Sequence, residues 1–305
     1  MSGPSLSPSQ RLQSLLDLLQ TQYQPDDYSS IVDGFSQARL TSFRVNEKRT
    51  TADAVADSLS QQGYLLQQLP LPMPAFEALQ EGEVSLPSTK EYEEGLLYLQ
   101  SPSSMIPPLL FSSLEKKDLL DMCAAPGSKT TQLAQLGDGT LHITACEKDK
   151  IRCDRLRYNL KKQGFPSVNV LQSDARKLDD FLRFDAILLD APCSGSGTVL
   201  LQEENTYRSY SPELVRNSAK LQLQLLNKAD RLLKSGGELV YSTCSLLSAE
   251  NEDVVSSFLS SHSYRIVDHP ELKHLPLLQS SIQQAIKICP TSQWEGFFAI
   301  HLVKT

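Results

Sequence analysis

From Lys117 onward the chain alternates strand-like and helix-like segments with a regularity that leaves few architectures open. Leu119-Leu-Asp121 leads into a helical run from Lys129 to Leu136 that Gly137 closes. Leu141 to Cys146 leads into Ile151 to Lys162, closed by Gly164, and Val168 to Leu171 leads to Ser173-Asp-Ala. Short apolar strands joined by helices of this length pack as a mostly parallel sheet with helices on both faces, so the expected class is α/β, doubly wound. A further unit follows: Phe184 to Leu189 reads as a buried strand, Ser211 caps a helix with Pro212 at its first position, and Gly236-Gly237 ends that helix before a strand from Glu238 to Tyr241. Ser248 is expected to cap another helix with Glu250, Glu252 and Asp253 in its first turn, and Tyr264 to Val267 with Phe297 to Val303 to form an edge hairpin.

Residues before this region follow a different pattern. Leu12, Leu15, Leu16 and Leu19 mark an amphipathic helix, Phe43 to Val45 and Tyr64 to Leu66 read as strands, and Thr51 to Leu59 as a helix, until Pro70, Pro72 and Pro74 break the periodicity. The expectation is a small N-terminal α+β domain over residues 1–95 and a catalytic domain over 96–305. A chain of 305 residues has room for both.

Composition limits the partners. No apolar run approaches the roughly 18 residues of a membrane span. The N-terminus MSGPSLSPSQ has neither a basic flank nor an apolar core, so a soluble, cytoplasmic protein is expected. The six cysteines make no C-x-x-C pair and stand apart from the five histidines, which predicts free thiols and no metal. At a formal charge of −7, any nucleic acid must be held by local basic patches. No heptad or apolar patch calls for a second copy, so a monomer is expected.

The loop Asp121-Met-Cys-Ala-Ala-Pro-Gly127-Ser-Lys129-Thr follows the first strand of the alternating region and opens a helix, where a doubly wound fold binds a nucleotide. It is not G-x-G-x-x-G, which weighs against NAD and FAD. Glu147, about twenty residues past Gly127, ends the second strand, where a carboxylate accepts ribose hydroxyls; Asp174 and Asp190 end the third and fourth. Acids at strand ends also serve as helix caps, and that reading stands beside the functional one for each. Together they suit a nucleoside bearing positive charge, such as S-adenosylmethionine.

Two cysteines follow strand ends: Cys193 in Asp190-Ala-Pro-Cys-Ser-Gly and Cys244 in Tyr241-Ser-Thr-Cys-Ser. Two thiols delivered to one place suggest covalent catalysis with a second group that undoes the bond. Cys146, Cys153 and Cys289 fit small buried hydrophobes, and Cys123 fits loop packing.

With Gly95-Leu-Leu-Tyr-Leu-Gln-Ser-Pro-Ser-Ser-Met-Ile-Pro107 and Glu295-Gly-Phe-Phe298, these motifs make a set of five in fixed order. From about Phe43 to the C-terminus the chain resembles the RsmB/RsmF (Sun-domain) family of RNA cytosine-C5 methyltransferases. The resemblance implies a Rossmann-like methyltransferase domain that uses S-adenosylmethionine, preceded by a small RNA-binding domain. It also implies cofactor contacts at Cys123, Ala124, Ala125, Pro126, Gly127, Ser128, Lys129, Glu147, Arg152, Asp174 and Asp190. Cys244 corresponds to the family nucleophile and Cys193 to its second cysteine. Ser128 replaces a glycine common among relatives, Glu147 stands where aspartate is frequent, and the sequence stops soon after Phe298, short of the C-terminal extension of longer RsmF-type proteins.

The expected catalytic set is Cys244, Cys193, Asp190 and Lys129. Cys244 would add to C6 of cytosine to make C5 nucleophilic, and Cys193 would assist its release. Lys129 would lower the thiol's pKa if it lies nearby, and Asp190 would bond the base edge. The substrate base must be looped or flipped to be reached. Arg39, Arg44, Lys48 and Arg49, with Lys148, Lys150, Arg152 and Arg155, are candidates for RNA phosphates, though such runs are commonly solvated faces. Tyr207, Tyr210 and Trp294 could stack on bases or simply pack. Ribosomal RNA is the expected substrate, with tRNA as alternative. A DNA methyltransferase using Cys193 as nucleophile and a non-catalytic RNA assembly factor are the competing readings.

Overall fold

In a computed structural model of the chain, residues 7–137 and 139–305 are described. They divide into two compact units. One comprises the residues through Arg39 with Leu189–Arg231 and Glu238–Thr305, the other Leu40–Leu188 with Leu232–Gly237.

The first unit opens with α1 (Pro8–Gln22) and α2 (Pro25–Ser36). Ser7 and Gln10 form a reciprocal capping box at the start of α1, and Pro8 occupies a position that needs no amide donor. Its Leu15 and Leu19 are fully buried and pack with Ile31 and Phe35 of α2. Each such leucine contributes about 1.5–3 kcal/mol through burial.

The second unit holds two sheets. In the first, β1 (Ser42–Val45) pairs antiparallel with two later strands. Thr51 caps α3 (Ala52–Gln61), then β2 (Leu65–Gln68) and β3 (Ala75–Gln80) form an antiparallel pair. A short α4 (Lys90–Glu93) and β4 (Leu97–Leu99) complete the order β2-β3-β1-β4. β3 follows the prolines directly and has no counterpart in the sequence reading. After α5 (Pro102–Leu109) come β5 (Asp118–Asp121), α6 (Ser128–Leu136), β6 (His142–Glu147), α7 (Lys150–Gln163), β7 (Asn169–Gln172) and β8 (Phe184–Asp190). β5 lies between β6 and β8, and β6 between β5 and β7, all parallel. The strand order reverses at β5, where the next strand lies on one side and β8 on the other. In an open α/β sheet ligands bind beyond the carboxyl ends of strands at such a point.

The helix limits have local causes. Asp149 caps α7 by accepting the Arg152 amide, and Gly164, at φ +85°, stops it in the left-handed conformation. Cys153, Leu156 and Leu160 turn inward from α7, while Lys150, Arg152, Arg155, Arg157, Tyr158 and Lys161 face solvent.

Within the first unit, Ser211 accepts the Leu214 amide at the start of α8 (Pro212–Leu232). β9 (Leu233–Thr243) begins directly after it, so Gly236 and Gly237 lie inside the strand rather than ahead of it. Ser248 does not cap an α-helix. Residues Ser248–Glu250 form a single 3-10 turn, and α9 (Glu252–Leu259) starts only after Asn251. β10 (Tyr264–Ile266), β11 (Ile286–Ile288) and β12 (Phe297–Lys304) follow; β12 pairs antiparallel with β10, as expected, and also with residues 238–243 of β9 and with β11, neither of which was anticipated. No helix among the described residues is long and apolar enough to cross a membrane.

Candidate active site

In the second unit, the loop after β5 is tied down from several sides. Asp121 accepts a 2.7 Å hydrogen bond from the Thr130 hydroxyl, and the Ala124 amide bonds the Cys146 carbonyl at 3.0 Å. Arg152 and Asn159 of α7 donate to the carbonyls of Ala125 and Pro126, at 2.7 and 2.8 Å. Gly127 caps α6 at φ +109°, and a Cβ there would lie 2.9 Å from Leu156. The left-handed backbone conformation is what requires glycine, since the Leu156 methyl could give way.

The acids at the strand ends differ in their duties. Glu147 is buried and does not cap α7, a task Asp149 performs; one of its oxygens accepts the Asp149 amide and the other stands 3.5 Å from Arg152. A carboxylate so placed keeps lone pairs for further hydroxyls. Asp174 caps a 3-10 turn and holds Arg176 in a bidentate pair at 2.6–3.2 Å, which keeps its carboxyl below the usual range. Asp174 therefore fits the capping reading as well as the functional one.

Behind the loop lies a polar core that the sequence did not mark. Arg44 is fully buried, bonded to Gln100, Gln135, Thr131 and the Ser128 carbonyl, with Tyr98 under its guanidinium at 4.9 Å. The expectation that Arg44 meets RNA phosphates is thereby corrected: the side chain braces the first turn of α6. Burial lowers its pKa to about 10. Lys129 is buried too and donates to the Ser104 hydroxyl at 2.7 Å, linking the Gly95–Pro107 motif to the loop.

In the first unit, Cys193 and Cys244 come together. Their sulfurs are 3.1 Å apart, both half-buried, both free thiols. The Cys193 thiol is held far above its ordinary pKa by its hydrogen bond to Cys244, then by burial and by the charge of Glu250. Either sulfur can donate to the other across this contact. Asp190 accepts the Ser242 hydroxyl at 2.8 Å.

Three motifs hold this pair by backbone contact. The Gly197 amide bonds the Cys244 carbonyl at 3.0 Å, and the Gly296 amide bonds the Gly197 carbonyl at 2.9 Å. A Cβ on Gly197 would stand 2.0 Å from the Gly296 oxygen, which explains Gly197, and one on Gly296 would stand 2.9 Å from the Gly197 Cα, which explains the glycine of Glu295-Gly-Phe-Phe. Sequence reasoning missed Glu250, which it assigned to a helix dipole. That side chain is fully buried and bonds Ser194 and Ser245, the residues after the two cysteines. Its position six residues past Cys244 was the only available signal.

The remaining cysteines divide as expected: Cys146, Cys153 and Cys289 are buried, and Cys123 is half-buried in the loop. Trp294 and Tyr210 are buried in packing and are not base platforms. Lys148, Lys150, Arg152 and Arg155 are exposed. No group of three His, Cys, Asp or Glu among the described residues could hold a metal ion.

Residues 109–303 match the family model described as 16S rRNA methyltransferase RsmB/F. The chain belongs to the RsmB/F family. A ribosomal RNA small subunit methyltransferase F from Shewanella woodyi is 34% identical to this RsmB/F chain over 265 residues, 85% of the chain and 53% of the relative. The chain thus spans about half the length of such curated relatives. A methyltransferase homolog protein of known structure from Pyrococcus horikoshii, 30% identical, superposes with a TM-score of 0.84 over 98% of this chain and 100% of that one. NSun6 from Pyrococcus horikoshii, solved with SFG, is 21% identical with a TM-score of 0.83, covering 95% and 97%. The fold is the Rossmann-like methyltransferase fold.

Proposed function

We propose that this chain is an S-adenosylmethionine-dependent RNA cytosine-C5 methyltransferase that acts on ribosomal RNA through a Cys244–C6 adduct. The observation that carries the reading is the 3.1 Å pairing of Cys193 with Cys244. Methyl transfer to an amino group or a hydroxyl needs no thiol, whereas cytosine C5 becomes nucleophilic only after a nucleophile adds to C6. The small-subunit rRNA methyltransferase names of the relatives favour rRNA as substrate.

Cys244 as its thiolate adds to C6, with the Cys193 sulfur 3.1 Å away in hydrogen-bond reach. Electron density then moves to C5. S-adenosylmethionine, when bound, supplies an electrophilic methyl group on a sulfonium. The C5 proton passes to solvent, the C5–C6 double bond re-forms, and Cys244 leaves as thiolate with Cys193 donating to it. Asp190 accepts from the cytosine amino group, and from N3 when N3 is protonated.

The residues after β5 and β6 fit that cofactor. Glu147 has the free acceptor capacity that ribose hydroxyls require, and Gly127 lets the loop backbone approach a ligand closely. Cys123 through Lys129, with Arg152, Asp174 and Asp190, would complete the contacts. Lys129 would add positive field. The basic face of α7, with Tyr158 64% exposed among its cations, suits RNA phosphates and bases. The residues through about 95 are assigned to RNA binding.

The test is methyl transfer from labelled S-adenosylmethionine to small-subunit rRNA, tRNA and DNA, with bisulfite sequencing of the product. Wild type should mark a cytosine in rRNA and Cys244→Ala should not. Label on another base, or full activity of Cys244→Ala, rules the reading out.

A further inference from the structure

α7 is a basic helix in an acidic chain. It carries Lys150, Arg152, Arg155, Arg157, Lys161 and Lys162 against the single acid Asp154, while the formal charge of the whole chain is −7. All of these cations are exposed except Lys162, which is half-buried. Its ammonium lies 3.4 Å from the centre of the Tyr92 ring and has no hydrogen-bond acceptor among the described residues; Glu93 is the acid whose charge reaches it.

Beside Lys162 opens a pocket of about 100 Å³, lined by Tyr92, Tyr98, Leu99, Asn159, Lys162 and Gln163. Asn159 donates to the Tyr98 hydroxyl at 3.4 Å and to the Pro126 carbonyl at 2.8 Å, which leaves its amide oxygen as an acceptor and ties the pocket to the loop after β5. The Arg44 guanidinium, 4.9 Å from the centre of the Tyr98 ring, holds that wall in place. Arg155, Asn159 and Lys162 recur at i, i+4 and i+7, so exposed positive charge runs along one face of α7 into the pocket.

Cations that lead to a recess walled by aromatic rings are what single-stranded nucleic acid binds: the charges follow the backbone and the rings take a base. An acidic peptide or a lipid headgroup would use the cations and leave the two tyrosines without a task. The volume equals roughly three water molecules at about 30 Å³ each, which suits a single-ring base better than a double-ring one.

We propose that this pocket holds one unpaired pyrimidine of the RNA, separate from the cytosine that is methylated. Its ring packs on the tyrosine wall and its O2 carbonyl accepts from Lys162. The inference rests on the RNA reading above and makes Tyr92 and Lys162 determinants of the sequence the protein prefers around its target.

The test uses the whole chain without cofactor. Binding of short single-stranded oligomers of uridine, cytidine or adenosine, and of an abasic oligomer of the same length, is followed by fluorescence anisotropy. The pyrimidine oligomers should bind about tenfold tighter than the abasic one, with adenosine between. Lys162→Met, which keeps the stem and removes the charge, and Tyr92→Leu, which keeps apolar bulk, should each shrink that advantage several-fold. Variants that keep the full pyrimidine advantage overturn the proposal, and so do variants that melt earlier and weaken every oligomer alike, the mark of a purely structural role. Wild type decides independently of any variant: an irradiated 4-thiouridine oligomer should cross-link to the peptides holding Tyr92, Tyr98 or Lys162, and cross-links found only elsewhere overturn it. Failure of the RNA reading looks different, since the wild type would then bind none of the oligomers and both ideas would fall together.

Discussion

The sulfur of Cys193 lies 3.1 Å from that of Cys244, within hydrogen-bond reach, and both are free, half-buried thiols. A disulfide needs about 2.0 Å, so a small movement would join them. A mild thiol oxidant should therefore cross-link this pair first and abolish activity, with recovery on reduction.

The other thiols should lag far behind. Burial, with the nearby carboxylates of Asp121, Glu147 and Asp174, pushes Cys146 up to about 12, and burial with Asp27 pushes Cys289 to about 11. A raised thiol pKa means less thiolate at a given pH; against the ordinary 9.0, Cys146 loses roughly a thousandfold at neutrality. Peptide mapping after brief alkylation should find Cys146, Cys153 and Cys289 unlabelled until the protein unfolds.

The glycines that join the cysteine loops admit no side chain. Gly296→Ala would set a Cβ 2.9 Å from both Gly197 and Leu246. The expected cost is about 1–3 kcal/mol, read as a lower melting temperature, with a larger loss of activity than of stability because the Gly197–Cys244 contact shifts.

Arg44 and Arg155 should behave in opposite ways. Arg44→Ala strands the acceptors of Gln100, Gln135 and Thr131 and should cost about 2–4 kcal/mol in stability, without altering the salt dependence of RNA binding. Arg155→Ala, on the exposed face of α7, should leave the melting temperature in place and lower the slope of log K against log salt by about one.

Much of the fold could be read from residue pattern. The alternation after Lys117 marks β5 through β8, because crossover helices leave a 3.6-residue stripe and are punctuated by Gly137 and Gly164. β3 was hidden because three prolines precede it within six residues, and β11 because three residues carry no period. The two cysteines were legible as motifs. Glu250 and Arg44 were not, since a charged residue announces solvent in a sequence, and only the packed chain reveals that its partners are buried with it.

Acid should expose the Asp174–Arg176 pair. Arg176 depresses the Asp174 carboxyl, so the pair's contribution is present above the carboxyl's unfolded pKa and is lost as pH falls through the lowered folded value. The stability gap between wild type and Arg176→Ala, followed by thermal melts, should shrink to nothing as the solution is acidified.

The most direct test of the adduct is a denaturing gel of Cys193→Ala and Cys244→Ala after incubation with rRNA and S-adenosylmethionine. The account predicts that Cys193→Ala, lacking the donor that helps the sulfur leave, accumulates a covalent protein–RNA band through Cys244 and that Cys244→Ala yields none. A band from Cys244→Ala, or its absence from Cys193→Ala in protein that binds RNA, would contradict it.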